Sequence, residues 1–260
     1  MTTTRINLIV LIIFFFGSFL GCCEAALYVD DTSTTEYRKW YMEIGTDYSK
    51  DVEREFDPET EEYNKTVCWE QDVYIYSSFG LSQRQDIGIT VPYNFLYESS
   101  EPDVNGFSDF TVETKYRLWD EGKIMPSYAF YFDIKADNAN KDKGLGSGKK
   151  DYSVNNIFTK TIGRESVDLN FGYSLVGGDA QDLFTYSFDL THNLTEEISL
   201  CNEIYGETAF EVGFSKNLFC YGLSLSCQLT DSISFDSGVG FGITKNSPDY
   251  QISNSLSFTF

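Results

Sequence analysis

Glu113, Lys115 and Arg117 occupy every second position of one short stretch, and Asp133 and Lys135 follow in the next. Charges at that spacing lie on one side of an extended chain, because successive side chains of a strand project to opposite faces. Glu43, Asp47, Asp168, Asp189, Glu203 and Asp236 fall into the same alternation. Residues of this kind can line a wet passage that favours cations, or pair with one another and fill an interior. Lys115, Arg117 and Lys135 are expected to neutralise Glu113 and Asp133 locally, leaving the other carboxylates to set the charge. Nothing marks two of these acids as a catalytic pair.

Other reactive residue types carry less. His192 is the only histidine and shares parity with Phe188 and Leu190, so it reads as an interfacial residue on an apolar face. Without a convincing Ser or Asp partner it does not make a nucleophilic site. The stretch Gly144 to Lys150, GLGSGKK, has three residues between Gly144 and Gly148, and Lys150 stands where a phosphate-binding loop needs Ser or Thr. It reads as an extracellular loop. Beyond Cys22 and Cys23 lie Cys68, Cys201, Cys220 and Cys227, with no CxxC spacing, which excludes the usual zinc pattern. Cys201 and Cys220 share an inward parity on neighbouring strands and are the first disulfide candidates. No cofactor or metal is expected.

The elements that position these residues are strands. In Gly106 to Asp120, Phe110, Val112, Tyr116 and Leu118 fall on one face and Glu113, Lys115 and Arg117 on the other. Ile124, Tyr128, Phe130, Phe132 and Ile134 then oppose Ser127, Ala129, Asp133 and Lys135. The period of two predicts strands over about 37–48, 71–81, 86–97, 107–119, 124–135, 151–162, 166–176, 182–192, 197–207, 218–229, 232–243 and 250–260. They run to about 9–11 residues or more, the span of a membrane-crossing strand rather than the 5–6 usual in soluble sheets. Short turns follow the even strands and longer links the odd ones, the periplasmic and extracellular arrangement of an outer-membrane barrel. The expected fold is all-β: an antiparallel transmembrane β-barrel of about twelve strands, closed over residues 37–260. Asn156, Lys160 and Asn202 interrupt the apolar parity, and Asn156 calls for a bulge.

The start of the chain fits export. Arg5 precedes an apolar run from Leu8 to Leu20, the length of a signal-peptide core and short for a spanning helix. Cleavage after Ala25 assigns 1–25 to a signal peptide and 26–36 to a short N-terminal segment. The alternative is a lipobox at Phe19 to Cys22, with Cys22 lipidated. A net charge of −21 argues against nucleic acid as a partner.

Phe258 and Phe260 end a last strand of alternating apolar residues, which resembles the signal read by the bacterial barrel-assembly machinery; Asn254 departs from that pattern. A broader resemblance runs from about Ile87 to Phe260. GFSDFTVETKYRLWDEGK, PSYAFYFDIK, KGLGSGKKDYSV, LTHNLTEEISLCNEIYGE and GLSLSCQLTDSISFDSGVGFGIT in succession resemble the family called putative meta-pathway of phenol degradation proteins. The resemblance implies an outer-membrane barrel acting as a transporter, with hydrophobic or aromatic compounds as its solutes. Where that family has an apolar-Pro-Thr-Gly turn, this chain has Ile134, Lys135, Ala136 and Asp137, so the resemblance speaks for the barrel more than for the solute.

The expected function is therefore a bacterial outer-membrane channel or transporter for small molecules, not an enzyme. Its partners are the lipid bilayer, outer-membrane lipids, the barrel-assembly machinery and an unidentified solute. The alternatives are a structural or adhesive surface barrel without transport and an outer-membrane hydrolase.

Overall fold

The computed structural model describes residues 29–57, 62–99, 101–178, 180–209 and 217–260; the expected signal peptide and the Cys22 alternative lie outside them. The alternating segments become β1 (Trp40–Asp57), β2 (Glu62–Ser82), β3 (Gln85–Glu98), β4 (Val104–Phe107), β5 (Thr111–Trp119), β6 (Ser127–Lys135) and β7 (Asp151–Ile162). β8 (Glu165–Leu175), β9 (Leu183–Asn193), β10 (Ile198–Ala209), β11 (Leu218–Thr230), β12 (Ile233–Gly242) and β13 (Tyr250–Thr259) complete the set. All pairings between these strands are antiparallel, and β1 pairs with both β2 and β13, so the sheet closes on itself. Closure matters because hydrocarbon offers no partner to an open edge, and a closed ladder satisfies every strand internally.

β4 and β5 are two pieces of one barrel strand, which makes the wall twelve strands. Between Thr90↔Thr111 and Tyr93↔Phe107, β3 advances three residues while its partner advances four. The extra residue breaks the pairing and reverses parity. Pro92, which has no N–H to give, sits at the break, and its carbonyl accepts from Ser108 N at 3.1 Å. The expected single strand over 107–119 is corrected accordingly.

The expected loop from Ser49 to Glu70 is largely strand: β1 and β2 stay paired out to Asp57↔Glu62, whereas β1 and β13 part after Lys50↔Tyr250. The hairpin therefore stands beyond the wall. Its sequence, KDVEREFD, holds only Val52 and Phe56 as apolar residues, so the apolar alternation fades where β1 runs past β13.

The outer face carries exposed Ile44, Ile75, Val112, Phe132, Phe171 and Phe188. Aromatic rings band it near both ends. Tyr48 lies 6.1 Å from Tyr250 and 6.2 Å from Trp69, which stacks on Tyr97 at 5.3 Å. At the other end Trp40 packs on Phe79 at 4.9 Å, and Trp119 on Tyr128 at 4.7 Å. Rings of this kind prefer the membrane interfaces.

The interrupting polar residues keep their outward register without a bulge. The hydroxyl of Tyr128 donates to Asn156 Oδ1 at 2.8 Å, and that of Tyr221 to Asn202 Oδ1 at 2.9 Å. Lys160 reaches Glu121 in the short turn before β6. Each is satisfied by a neighbour, not by a register shift.

Candidate functional site: the barrel interior and its N-terminal strap

Register places the eleven charged candidates on one face of the closed sheet. Glu43 and Asp47 lie on β1, Glu113, Lys115 and Arg117 on β5, Asp133 and Lys135 on β6, Asp168 on β8, Asp189 on β9, Glu203 on β10 and Asp236 on β12. Direct cross-strand partners join several of them: Glu113 faces Asp133, and Asp168, Asp189 and Glu203 form one row over three adjacent strands. That row is only 4%, 2% and 1% exposed.

Hydroxyl and thiol groups on the same or neighbouring strands donate to these acids. Tyr41 and Tyr74 hold the two oxygens of Glu43 at 2.7 and 2.6 Å, and Tyr131 donates to Glu113 at 3.0 Å. Asp47 accepts from Ser253 and Asp168 from Thr159. Asp189 accepts from Thr191 at 2.8 Å and from the Cys201 thiol at 2.7 Å. The Tyr74 ring lies over Gly45, where an added Cβ would come within 2.2 Å of it. Such bonds keep a carboxylate in place and leave its charge uncancelled.

The three basic side chains pair outside this set of acids. Lys115 meets Asp30 at 2.6 Å, Arg117 meets Asp120 at 3.0 Å, and Lys135 meets Asp109 at 3.1 Å and Asp151 at 2.9 Å. The expected local neutralisation of Glu113 and Asp133 is thus corrected. Lys115 is level with Asp86 and Tyr131, one inward step from Glu113, and an acid from another segment reaches it first.

That segment is the stretch before β1, which runs inside the barrel as a strap. Asn170 Nδ2 donates to the Asp30 carbonyl at 2.8 Å, and Asp30 N to Asn170 Oδ1 at 3.2 Å. Thr32 N donates to Thr159 Oγ1 at 3.0 Å, and the Thr32 hydroxyl meets Ser127 Oγ at 2.7 Å. Thr35 N donates to Asp86 Oδ2 at 2.7 Å, and its hydroxyl meets Ser78 Oγ at 2.5 Å. With Lys115 on Asp30, the strap touches β2, β3, β5, β6, β7 and β8. It leaves through a turn in which Arg38 takes a left-handed φ of 65° and donates to the Gly80 carbonyl at 2.9 Å. Gly80 is required there, since an added Cβ would lie 2.0 Å from the Glu36 carbonyl oxygen.

At the end of the long loops the interior is narrowed again. Leu145 is buried against Gly106, and its carbonyl accepts from Ser108 Oγ at 2.7 Å. Buried Asp109 ties Ala139 N at 2.8 Å and Lys135 to the same place. The glycine-rich stretch thus folds in against the break between β4 and β5. A separate cleft of about 350 Å³ lies where β1, β2 and β3 meet the start of β4 and includes Asp51, Glu70, Glu98 and Glu101.

The cysteine expectation fails on register. Cys201 faces Ser224 and Cys220 faces Tyr205, four residues away along the pair, or about 13 Å, beyond disulfide reach. Neither is in a disulfide, and neither are Cys68 and Cys227. His192 bonds Glu165 across the β8–β9 pair. Phe260 is exposed, and its backbone closes the seam with Trp40 at 2.8 and 3.0 Å.

The sequence reading missed the strap and the inward tyrosines. Tyr74 and Tyr76 share parity with Asp72 and Ser78, which marks them as inward. The strap has no period, and its one cue is the hydroxyl run Thr32, Ser33, Thr34 and Thr35.

Comparison with solved structures gives the same architecture. The COG4313 outer membrane channel from Pseudomonas putida F1 superposes with a TM-score of 0.68 at 14% identity, over 90% of this chain and 100% of that one. The translocator domain of the autotransporter NalP from Neisseria meningitidis gives 0.57 at 8% identity, over 89% and 91%. The Pseudomonas putida toluene transporter TodX gives 0.50 at 7% identity, over 93% and 99%. No curated protein matches the sequence. The closed twelve-strand wall and its lipid-facing bands place the chain in a bacterial outer membrane. A family model described as "Putative MetA-pathway of phenol degradation" matches residues 68–260, and the chain belongs to that family.

Proposed function

We propose that the protein is a channel that passes small molecules across the outer membrane, and that its interior favours cations. The observation that carries this reading is the set of inward carboxylates held by hydroxyl and thiol donors, while Lys115, Arg117 and Lys135 pair elsewhere. A low-dielectric wall focuses such a field, which enriches cations over anions. The likeness to a toluene transporter, together with the family description, supports hydrophobic or aromatic compounds as the solute class. The inward tyrosine rings offer such solutes an apolar surface beside the charges. Residues 1–25 are a signal peptide in this reading, and Phe258 and Phe260 present the chain to the barrel-assembly machinery. Enzymatic activity has no part in it.

The test is conductance of purified full-length protein in planar bilayers across a salt gradient. Discrete current steps with a cation-selective reversal potential are expected, and the preference should shrink as salt rises, since the Debye length is about 8 Å near physiological ionic strength. Anion selectivity would overturn the assignment. Folded protein that gives no steps, with or without the strap, would favour a structural barrel.

A further inference from the structure

The lipid-facing side of β12, β13, β1 and β2 carries one polar row. Ser237 faces Asn254, and Asn254 faces Thr46, so three adjacent strands present polar side chains outward at one register. Ser237 Oγ donates to Asn254 Oδ1 at 2.9 Å, and Gln71 Nε2 on β2 donates to Thr46 Oγ1 at 3.2 Å. Asn254 lies four residues from Tyr250 in one aromatic band and four from Phe258 near the other end. That is about 13 Å along the strand each way, close to the membrane midplane.

The other outward asparagines are treated differently. Asn202 lies under Tyr221, and Asn156 accepts from Tyr128 and donates to the Phe171 carbonyl at 3.3 Å. Asn254 has only the small Ser237 on it, and its amide N–H groups donate to nothing among the described residues. Around the row the wall is aliphatic and exposed, with Ile44, Ile75 and Ile252. Hydrocarbon can neither donate nor accept, so an amide left facing it is costly.

We infer that this row is the centre of an interface with a second copy of the chain. An amide and two hydroxyls each donate and accept, so the row can pair with itself. A twofold axis along the membrane normal brings identical residues together at identical depth, which a different protein would have to match by coincidence. Asn254 of one copy then donates to Asn254 of the other, while the isoleucines pack around the pair.

The experiment is sedimentation equilibrium of the folded full-length protein in a density-matched neutral detergent. It does not depend on whether the barrel conducts. The wild type is expected to dimerise, with Asn254→Leu and Thr46→Val each weakening the dimer roughly tenfold. Asn202→Leu, on the far wall, is expected to leave it unchanged. Folding of each variant is read first from gel migration without heating, and the near-isosteric Thr46→Val serves if Asn254→Leu does not fold. A monomeric wild type, a ring larger than two, or equal weakening by Asn202→Leu would overturn the inference.

Discussion

At the scale of single residues, the two sides of one wall meet different solvents. Phe132 is exposed on the lipid face of β6, and an Arg there should cost about 2–4 kcal/mol of folding into bilayers. Ser127 on the opposite face is a poor inward control, because Thr32 of the strap and the Thr159 carbonyl already hold it. Ser255 is the better one: it faces Asp236 across β12, so an Arg there gains a partner. Folding titrations of Phe132→Arg and Ser255→Arg should show a clear loss for the first and little for the second. A larger loss for Ser255→Arg would reverse the faces. The cation preference belongs to this scale too. Changing Asp168, Asp189, Glu203 and Asp236 to Asn or Gln removes four acids remote from the paired cations. The measured reversal potential should move toward zero, and no movement would take these residues out of the permeation path.

At the scale of elements, the strap is held to the wall by hydroxyl pairs, by backbone bonds to Asn170, Thr159 and Asp86, and by one ion pair. Lys115→Met removes the Asp30 contact, worth about 1.5–3 kcal/mol for a charge-assisted bond. The equilibrium between docked and undocked strap should then shift roughly tenfold or more. Single-channel recordings should show a larger mean current than the wild type, and unchanged current would mean that the strap does not limit flow. This element was nearly invisible in the sequence, whereas the strands were plain. A strand between lipid and water writes its burial into every second residue, as in Phe130, Phe132 and Ile134 against Ala129, Asp133 and Lys135. Thr32 and Thr35 bury hydroxyls against hydroxyls, which leaves no contrast to read. The β1–β2 overhang was hidden too, because KDVEREFD carries too few apolar residues for an alternation to be read. The inward acids were legible from parity, but their partners were not: Tyr131 meets Glu113 and Cys201 meets Asp189 only through cross-strand register, and no single strand carries that.

At the scale of the whole molecule, closure by hydrogen bonds around the full circle should make unfolding all-or-none and slow in detergent. The protein should fractionate with outer membranes and migrate faster on gels when left unheated. Extraction by alkaline carbonate with no heat-dependent shift would contradict a closed barrel. The strap bears on this wall mechanically as well. A sheet of twelve strands resists stretching along its hydrogen bonds but flattens easily, since bending it breaks nothing. A segment fastened in turn from Ser78 on β2 to Asn170 on β8 lines that part of the ring from within as a brace and holds its curvature. Releasing the brace would leave the ring free to become oval. The passage then gains more than the volume of the strap, and the wall becomes softer in the same event.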